Sequence, residues 1–215
     1  MKSSGSLRST GHVTLLAGMC LAIFLTVTAI AMPGPLLVEM SLELGSSVAV
    51  VGQLVTVAAG TWALTAIVAG PFSDAYGRKP VLVLGAVLLG AGSIGIGLAP
   101  SLAVATIFSV LIGMGGGMVR PTCIALAGDL FPDARRPMSI ALLTTAPGVA
   151  SVLGVPAAAV LGDMAGWRSP FLVVGLALFL TALLLLFLVP RHQSDRSDLH
   201  LFSRLKWVVA FPVTW

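Results

Sequence analysis

The sequence predicts an all-α integral membrane protein of six transmembrane helices, and three observations carry that prediction. Hydrophobic residues make up 57% of the 215 and charged residues only 9%, whereas a water-soluble domain carries about 25% Asp, Glu, Lys and Arg. The charges gather in short clusters between long uncharged runs. Those runs reach or exceed the roughly 20 residues a helix needs to cross the hydrocarbon core. A helix closes its backbone hydrogen bonds within its own segment, as lipid requires.

Each element follows from a charge-free run. His12 is followed by 26 uncharged residues, Val13 to Val38, which predict a first helix over 13–38. Lys2, Arg8 and the triplet Ala29-Ile30-Ala31 imitate a signal peptide, but the apolar run is longer than a signal core. It is therefore read as a retained span, with residues 1–12 as the N-terminal segment. Glu39 and Glu43 then fall in the first outer loop. The run from Leu44 to Ser73 predicts a helix over 47–71. From Pro80 to Val119 no charge occurs for 40 residues, about 60 Å of helix at 1.5 Å per residue and twice the hydrocarbon thickness. That run must fold back, and Ala99-Pro100-Ser101 is its turn, giving helices over 80–98 and 102–127. Two further runs predict helices over 138–161 and 170–189. Residues 191–215 read as a polar linker followed, from Trp207, by the start of a seventh helix.

Basic residues set the orientation. With the N-terminus inside, the cytoplasmic segments hold Lys2, Arg8, Arg78, Lys79, Arg135, Arg136, Arg191, Arg196, Arg204 and Lys206. The outer loops hold only Arg168, and Arg120 lies within a span. Such a bias places both ends of the bundle in the cytoplasm. No Lys/Arg stripe interleaved with aromatics is present, so nucleic acid is not a predicted partner. No zinc-ligand set, nucleophile–base pair or phosphate loop occurs either, so neither an enzyme nor a cofactor is predicted. Cys20 and Cys123 fall inside apolar runs and read as small core residues.

An internal echo predicts two three-helix units of opposite orientation. Asp74-Ala75-Tyr76-Gly77-Arg78-Lys79 and Asp163-Met164-Ala165-Gly166-Trp167-Arg168 share D-x-x-G-x-(K/R) at an offset of 89 residues. The first joins the second and third helices, and the second joins the fifth and sixth, on the opposite side of the membrane. Inverted repeats of this kind are a building plan of secondary transporters. Within the first copy, Gly77 permits a tight reversal and Pro80 suits the first turn of a helix. Arg78 and Lys79 suit an anionic inner leaflet. Asp74, a carboxylate at the membrane edge, reads from the residues alone as a helix cap or a partner for Arg78.

The stretch Gly70-Pro71-Phe72-Ser73-Asp74-Ala75-Tyr76-Gly77-Arg78-Lys79-Pro80 resembles the loop signature of the major facilitator superfamily, with Phe72 in place of the usual Leu and Ala75 in place of a frequent Arg. The resemblance extends over about residues 15–190. It implies the N-terminal half of a major facilitator fold, with Gly70, Asp74, Gly77, Arg78 and Lys79 as a conformational gate in which Asp74 docks on the N-terminus of a helix from the other half. The fifth helix, Pro147-Gly148 through Gly154-Val155-Pro156, resembles the antiporter signature of drug and sugar exporters, most closely the arabinose-type efflux permeases. Read without the family it is a kinked, closely packed helix; either way Pro147, Gly148, Gly154 and Pro156 form a hinge.

In the fourth helix the family often carries an Arg where this sequence has Ser109. Arg120 stands eleven residues further on, about three turns, so Ser109, Gly113, Gly116 or Gly117, and Arg120 share a face. An intramembrane Arg costs about 2.5–3.5 kcal/mol on insertion scales. Arg120 therefore either snorkels or pairs, or serves substrate or coupling. Pro121 predicts a bend. Gln53 and Trp62 are the other candidate cavity residues, with Glu39, Asp163, Asp74 or the second half as candidate proton carriers. The resemblance implies a secondary transporter in a bacterial inner membrane, exchanging a small organic solute for protons. Its partners would be the lipid bilayer and either a C-terminal six-helix half or a second copy. A truncated half that does not transport, or a membrane scaffold, is the alternative.

Overall fold

The computed structural model describes residues 4–190, with side chains from residue 11 onward. The expected linker and seventh helix over 191–215 lie outside the described residues. Helices α1 (Ser4–Ala31), α2 (Pro33–Glu43), α3 (Val48–Tyr76), α4 (Arg78–Gly97), α5 (Leu102–Leu130), α6 (Arg136–Val149), α7 (Val155–Ala165) and α8 (Arg168–Leu188) account for most of them, with a π turn at Ala150–Gly154 between α6 and α7. Six helical stretches are long and apolar enough to cross a membrane. No strand occurs among the described residues.

The first span departs from the single helix expected over 13–38. Pro33 and Pro35 have no N–H, so the carbonyls of Ala29 and Ala31 lose their donors and the helix breaks. Met32 stays right-handed helical (φ −62°, ψ −22°) and its N–H still donates to the Thr28 carbonyl at 2.8 Å. The chain therefore bends rather than reverses. It continues helically to Glu43, so Glu39 and Glu43, expected in a loop, stand on α2. Ser47 then caps α3 by accepting from the Val50 N–H. That helix runs through Pro71, past its expected end at 71, so Asp74 lies in its last turn rather than in a loop. The fourth helix likewise passes through Pro121 unbroken and ends at Leu130, not 127.

The fifth span, expected as one helix over 138–161, runs from α6 through the π turn to α7. The Val155 N–H donates to the Ala150 carbonyl five residues back, the π register, and Pro156, which cannot donate to the Val152 carbonyl, follows at once. Pro147 and Gly148 lie in the last turn of α6, Gly154 ends the π turn, and Pro156 opens α7.

Packing bears out the inverted repeat. α5 packs on α3 and α4; α1 packs on the α6–π-turn stretch and on α8; α4 and α8 pack on each other. Exchanging the unit α1–α4 with the unit α5–α8 maps this set of neighbours onto itself. At the centre of the α4–α8 contact Gly90 faces Gly175, and a Cβ on either would stand 3.0–3.1 Å from the other's carbonyl oxygen. Small residues here let two backbones meet where lipid offers no hydrophobic drive to association. The two reversals also match: Gly77 (φ 94°, ψ 149°) and Gly166 (φ 83°, ψ 152°) share one left-handed backbone conformation, which only glycine adopts without strain.

Candidate functional site

At the helix ends where α3 meets α4, the residues of the loop signature converge on Arg78. Its Nη1 lies 2.7 Å from the Asp74 carboxylate and donates to Ser73 Oγ at 2.9 Å. Its Nε donates to Asp129 Oδ2 at 3.0 Å. Asp129 closes α5, so one guanidinium joins the end of α3 to the end of α5. A carboxylate in the last turn of a helix opposes the negative end of the helix dipole. Asp74 is therefore not there to stabilise α3, and Arg78 offsets its charge. Ser73 Oγ donates in turn to the Gly70 carbonyl at 3.0 Å. Lys79 reaches elsewhere: its Nζ donates to the Val189 carbonyl, just past α8, at 2.7 Å.

The second group of predicted residues lies along α5. Gly113 and Gly117 abut α3, and a Cβ on Gly117 would stand 2.7 Å from both the Trp62 carbonyl oxygen and Thr65 Cβ. Gly116 faces Ile30 and Thr26 of α1 and the Trp62 ring. At about 100° per residue Arg120 points between the directions of Gly116 and Gly117, where α1, α3 and α5 meet. It is half-buried and forms none of the hydrogen bonds or ion pairs found among the described residues. Ser109 shares that direction but is buried, and its hydroxyl returns to the Ala105 carbonyl at 3.0 Å.

Two of the candidates come together and three do not. Trp62 is level with Gly116, within about 8 Å of Arg120 along the axis. Gln53 lies near the start of α3, about 14 Å from Trp62 along the helix, and Glu39 is on α2. Thr26, Thr28, Thr61, Thr144 and Thr145 donate to carbonyls three or four residues back, which removes them as free donors. Gln53 is exposed and, like Arg120, has no such bond among the described residues. At the end of the π turn, Gly154 leaves space for Thr28 Oγ1 and the Phe24 ring of α1.

At the opposite end of the bundle the structure assembles a cluster that the sequence did not disclose. Glu43 accepts from Arg168 Nε at 2.9 Å and from Trp167 Nε1, and the Arg168 guanidinium lies 4.6 Å from the Trp167 ring centroid. The Arg168 and Trp167 hydrogen bonds hold the Glu43 carboxyl below its ordinary range. Arg168 Nη1 also donates to the Gly97 and Ala99 carbonyls at 3.0 and 3.1 Å. Lys79 thus caps the end of α8 as Arg168 caps the end of α4, and the two are equivalent at the 89-residue offset. Cations at helix C-termini are favoured by the dipole and satisfy orphan carbonyls. The sequence echo marked Arg168, and Asp129 stood in the stretch whose spacing resembles the family's fourth helix, but nothing in the sequence paired Asp129 with Arg78 or Glu43 with Arg168.

The family model described as Major Facilitator Superfamily matches residues 19–212. A protein named as an uncharacterized MFS-type transporter, YvkA of Bacillus subtilis, is 30% identical over 193 residues, which cover 86% of this chain and 41% of that protein. The tetracenomycin C resistance and export protein of Streptomyces glaucescens is 28% identical over 190 residues, covering 85% and 34%. The chain therefore spans less than half the length of these relatives. Among solved structures, the proton:xylose symporter XylE superposes with a TM-score of 0.75 at 16% identity, over 93% of this chain and 50% of that one. Six membrane-length helices, the paired reversals and the matched family model together establish that this chain belongs to the major facilitator superfamily.

Proposed function

We propose that the chain is the N-terminal half of a proton-coupled exporter of small organic solutes, in a bacterial inner membrane with both bundle ends cytoplasmic. It works by alternating access, one six-helix body rocking against another around a midplane site. The observation that carries this reading is a face left uncovered along α3 and α6–α7. Gln53, Thr56, Gly60, Thr144, Thr145, Gly148 and Ser151 are all exposed there. The Gln53 amide suits a wet pathway or a second body better than hydrocarbon. Export rather than uptake is favoured by the names of relatives, among them the tetracenomycin C resistance and export protein and the multidrug transporter protein MdtP of Bacillus subtilis.

In this reading Asp74 is the gate, its charge meeting a helix N-terminus of the second half when the inner side closes. Trp62 and Arg120 line the inner part of the solute path, and the Pro147–Pro156 stretch is the hinge. The proton is carried by Glu39, Asp163, Asp74 or a residue of the second half. The test is ethidium movement in inside-out vesicles holding the chain together with a second six-helix half. An imposed proton gradient should drive ethidium accumulation, and collapsing the gradient should abolish it. Accumulation indifferent to the gradient would overturn proton coupling; no accumulation of ethidium or of any dye or sugar offered would overturn export.

A further inference from the structure

α2 is an eleven-residue helix with a break at either end. On its inner side stand Pro33, Gly34 and Pro35. On its outer side Gly45 turns the chain with φ 61°. Its middle rests on apolar contact alone, Leu36 sitting against Gly162 of α7. Its Ser41 hydroxyl returns to its own helix at Val38. Among the described residues, every side-chain hydrogen bond and ion pair from α2 to another element runs through Glu43. That carboxylate meets Arg168 and Trp167, and Arg168 is itself anchored on the carbonyls that end α4. The Glu43 and Arg168 side chains are 51% and 33% exposed, so water reaches the pair and can replace it.

We propose that Glu43, Trp167 and Arg168 form an outer latch that pins α2 to the α4–α8 pair, and that releasing it lets α2 swing about Pro33. The physical basis is an asymmetry of attachment. The α4–α8 pair is held at its centre by backbone contact between Gly90 and Gly175 and at both ends by Lys79 and Arg168. The outer segment of the first span, beyond a proline break, buries Leu36 and Met40 and packs on α3 and α7, but among the described residues its one polar tether to another element is Glu43. Missing intrahelical bonds at Pro33 and Pro35 make bending there cheap. Because the pair is partly exposed, its strength is modest, which suits a contact that must open and close. Arg168 therefore has two separable tasks, capping α4 and gripping Glu43, and only the second belongs to the latch.

Glu43→Ala isolates the second task, since Arg168 keeps its bonds to Gly97 and Ala99. The experiment uses the chain without Cys20 and Cys123 in lipid nanodiscs, with spin labels at Leu42 and Ser101 across the latch. A reference pair at Tyr76 and Ala134 spans the inner side. Glu43→Ala should broaden the 42–101 distance distribution about twofold, as a local opening does, and leave the 76–134 distribution unchanged. Adding Pro33→Ala and Pro35→Ala should restore a narrow 42–101 distribution by removing the hinge. An unchanged 42–101 distribution, or joint broadening of both pairs, would overturn the latch. A distribution still broad after the proline changes would overturn Pro33 as its pivot.

Discussion

Gly117→Ala is expected to destabilise the bundle by about 1–3 kcal/mol, the usual cost of overpacking, although alanine is the better helix former by about 1 kcal/mol. The added Cβ would stand 2.7 Å from the Trp62 carbonyl oxygen and 2.7 Å from Thr65 Cβ. Neither is the tip of a flexible side chain. α3 must therefore move as a body, which also shifts Trp62 away from the α5 face. Gly60→Ala is the control. It sits on the exposed side of α3 with nothing within 4 Å of its new Cβ, so it should match or slightly exceed the unmutated chain. Thermal unfolding in detergent, followed by the monodisperse fraction surviving each temperature, reads both. A gain at both positions would mean that helix propensity and not the α3–α5 contact governs stability, and equal losses would show that the close approach at Gly117 is not what the substitution disturbs.

Asp74→Asn is expected to lower transport tenfold or more, about 1.4 kcal/mol in the rate-limiting step, while leaving insertion and unfolding nearly unchanged. The two effects separate because Asp74 has 55% of its side chain exposed in its pair with Arg78, and exposed pairs contribute roughly 0–1 kcal/mol to stability. Arg78 also keeps Asp129 and Ser73 when Asp74 loses its charge. A cap or simple counter-ion would show a small stability loss and little else. A gate shows the reverse. Gradient-driven ethidium movement at equal expression is the measurement, and a rate near that of the unmutated protein would leave Asp74 a counter-ion to Arg78.

Membrane helices are legible in sequence where the physics is local. Charge-free length marks each span, and the 40-residue run had to fold back at Ala99-Pro100-Ser101, where the structure indeed turns between α4 and α5. Proline was less informative. Pro33 breaks its helix, while Pro71 and Pro121 sit inside unbroken ones, because neighbouring helices decide whether a lost donor becomes a break. The π turn after Pro147 belongs to the same class of outcome. Long-range polar contacts were the least legible. Arg78 finds Asp129 across 51 positions, Arg168 finds Glu43 across 125, and Lys79 finds Val189 across 110. Such pairs exist only once the helices are packed. The repeat itself was visible in six residues of each copy, and the matched backbone of Gly77 and Gly166 explains why that much was retained.

Everything proposed for this chain depends on one arrangement: the Asp74–Arg78–Asp129 cluster inside and the Glu43–Trp167–Arg168 cluster outside. Single cysteines test it most directly. They are placed at Tyr76, Ser101, Ala134 and Met164 in a background without Cys20 and Cys123. Intact cells are then treated with a membrane-impermeant maleimide. Ser101 and Met164 occupy the turns assigned to the outside and should be labelled, while Tyr76 and Ala134 should react only after the cells are opened. Labelling of Tyr76 or Ala134 in intact cells, with Ser101 and Met164 protected, would contradict the orientation and with it both the gate and the latch.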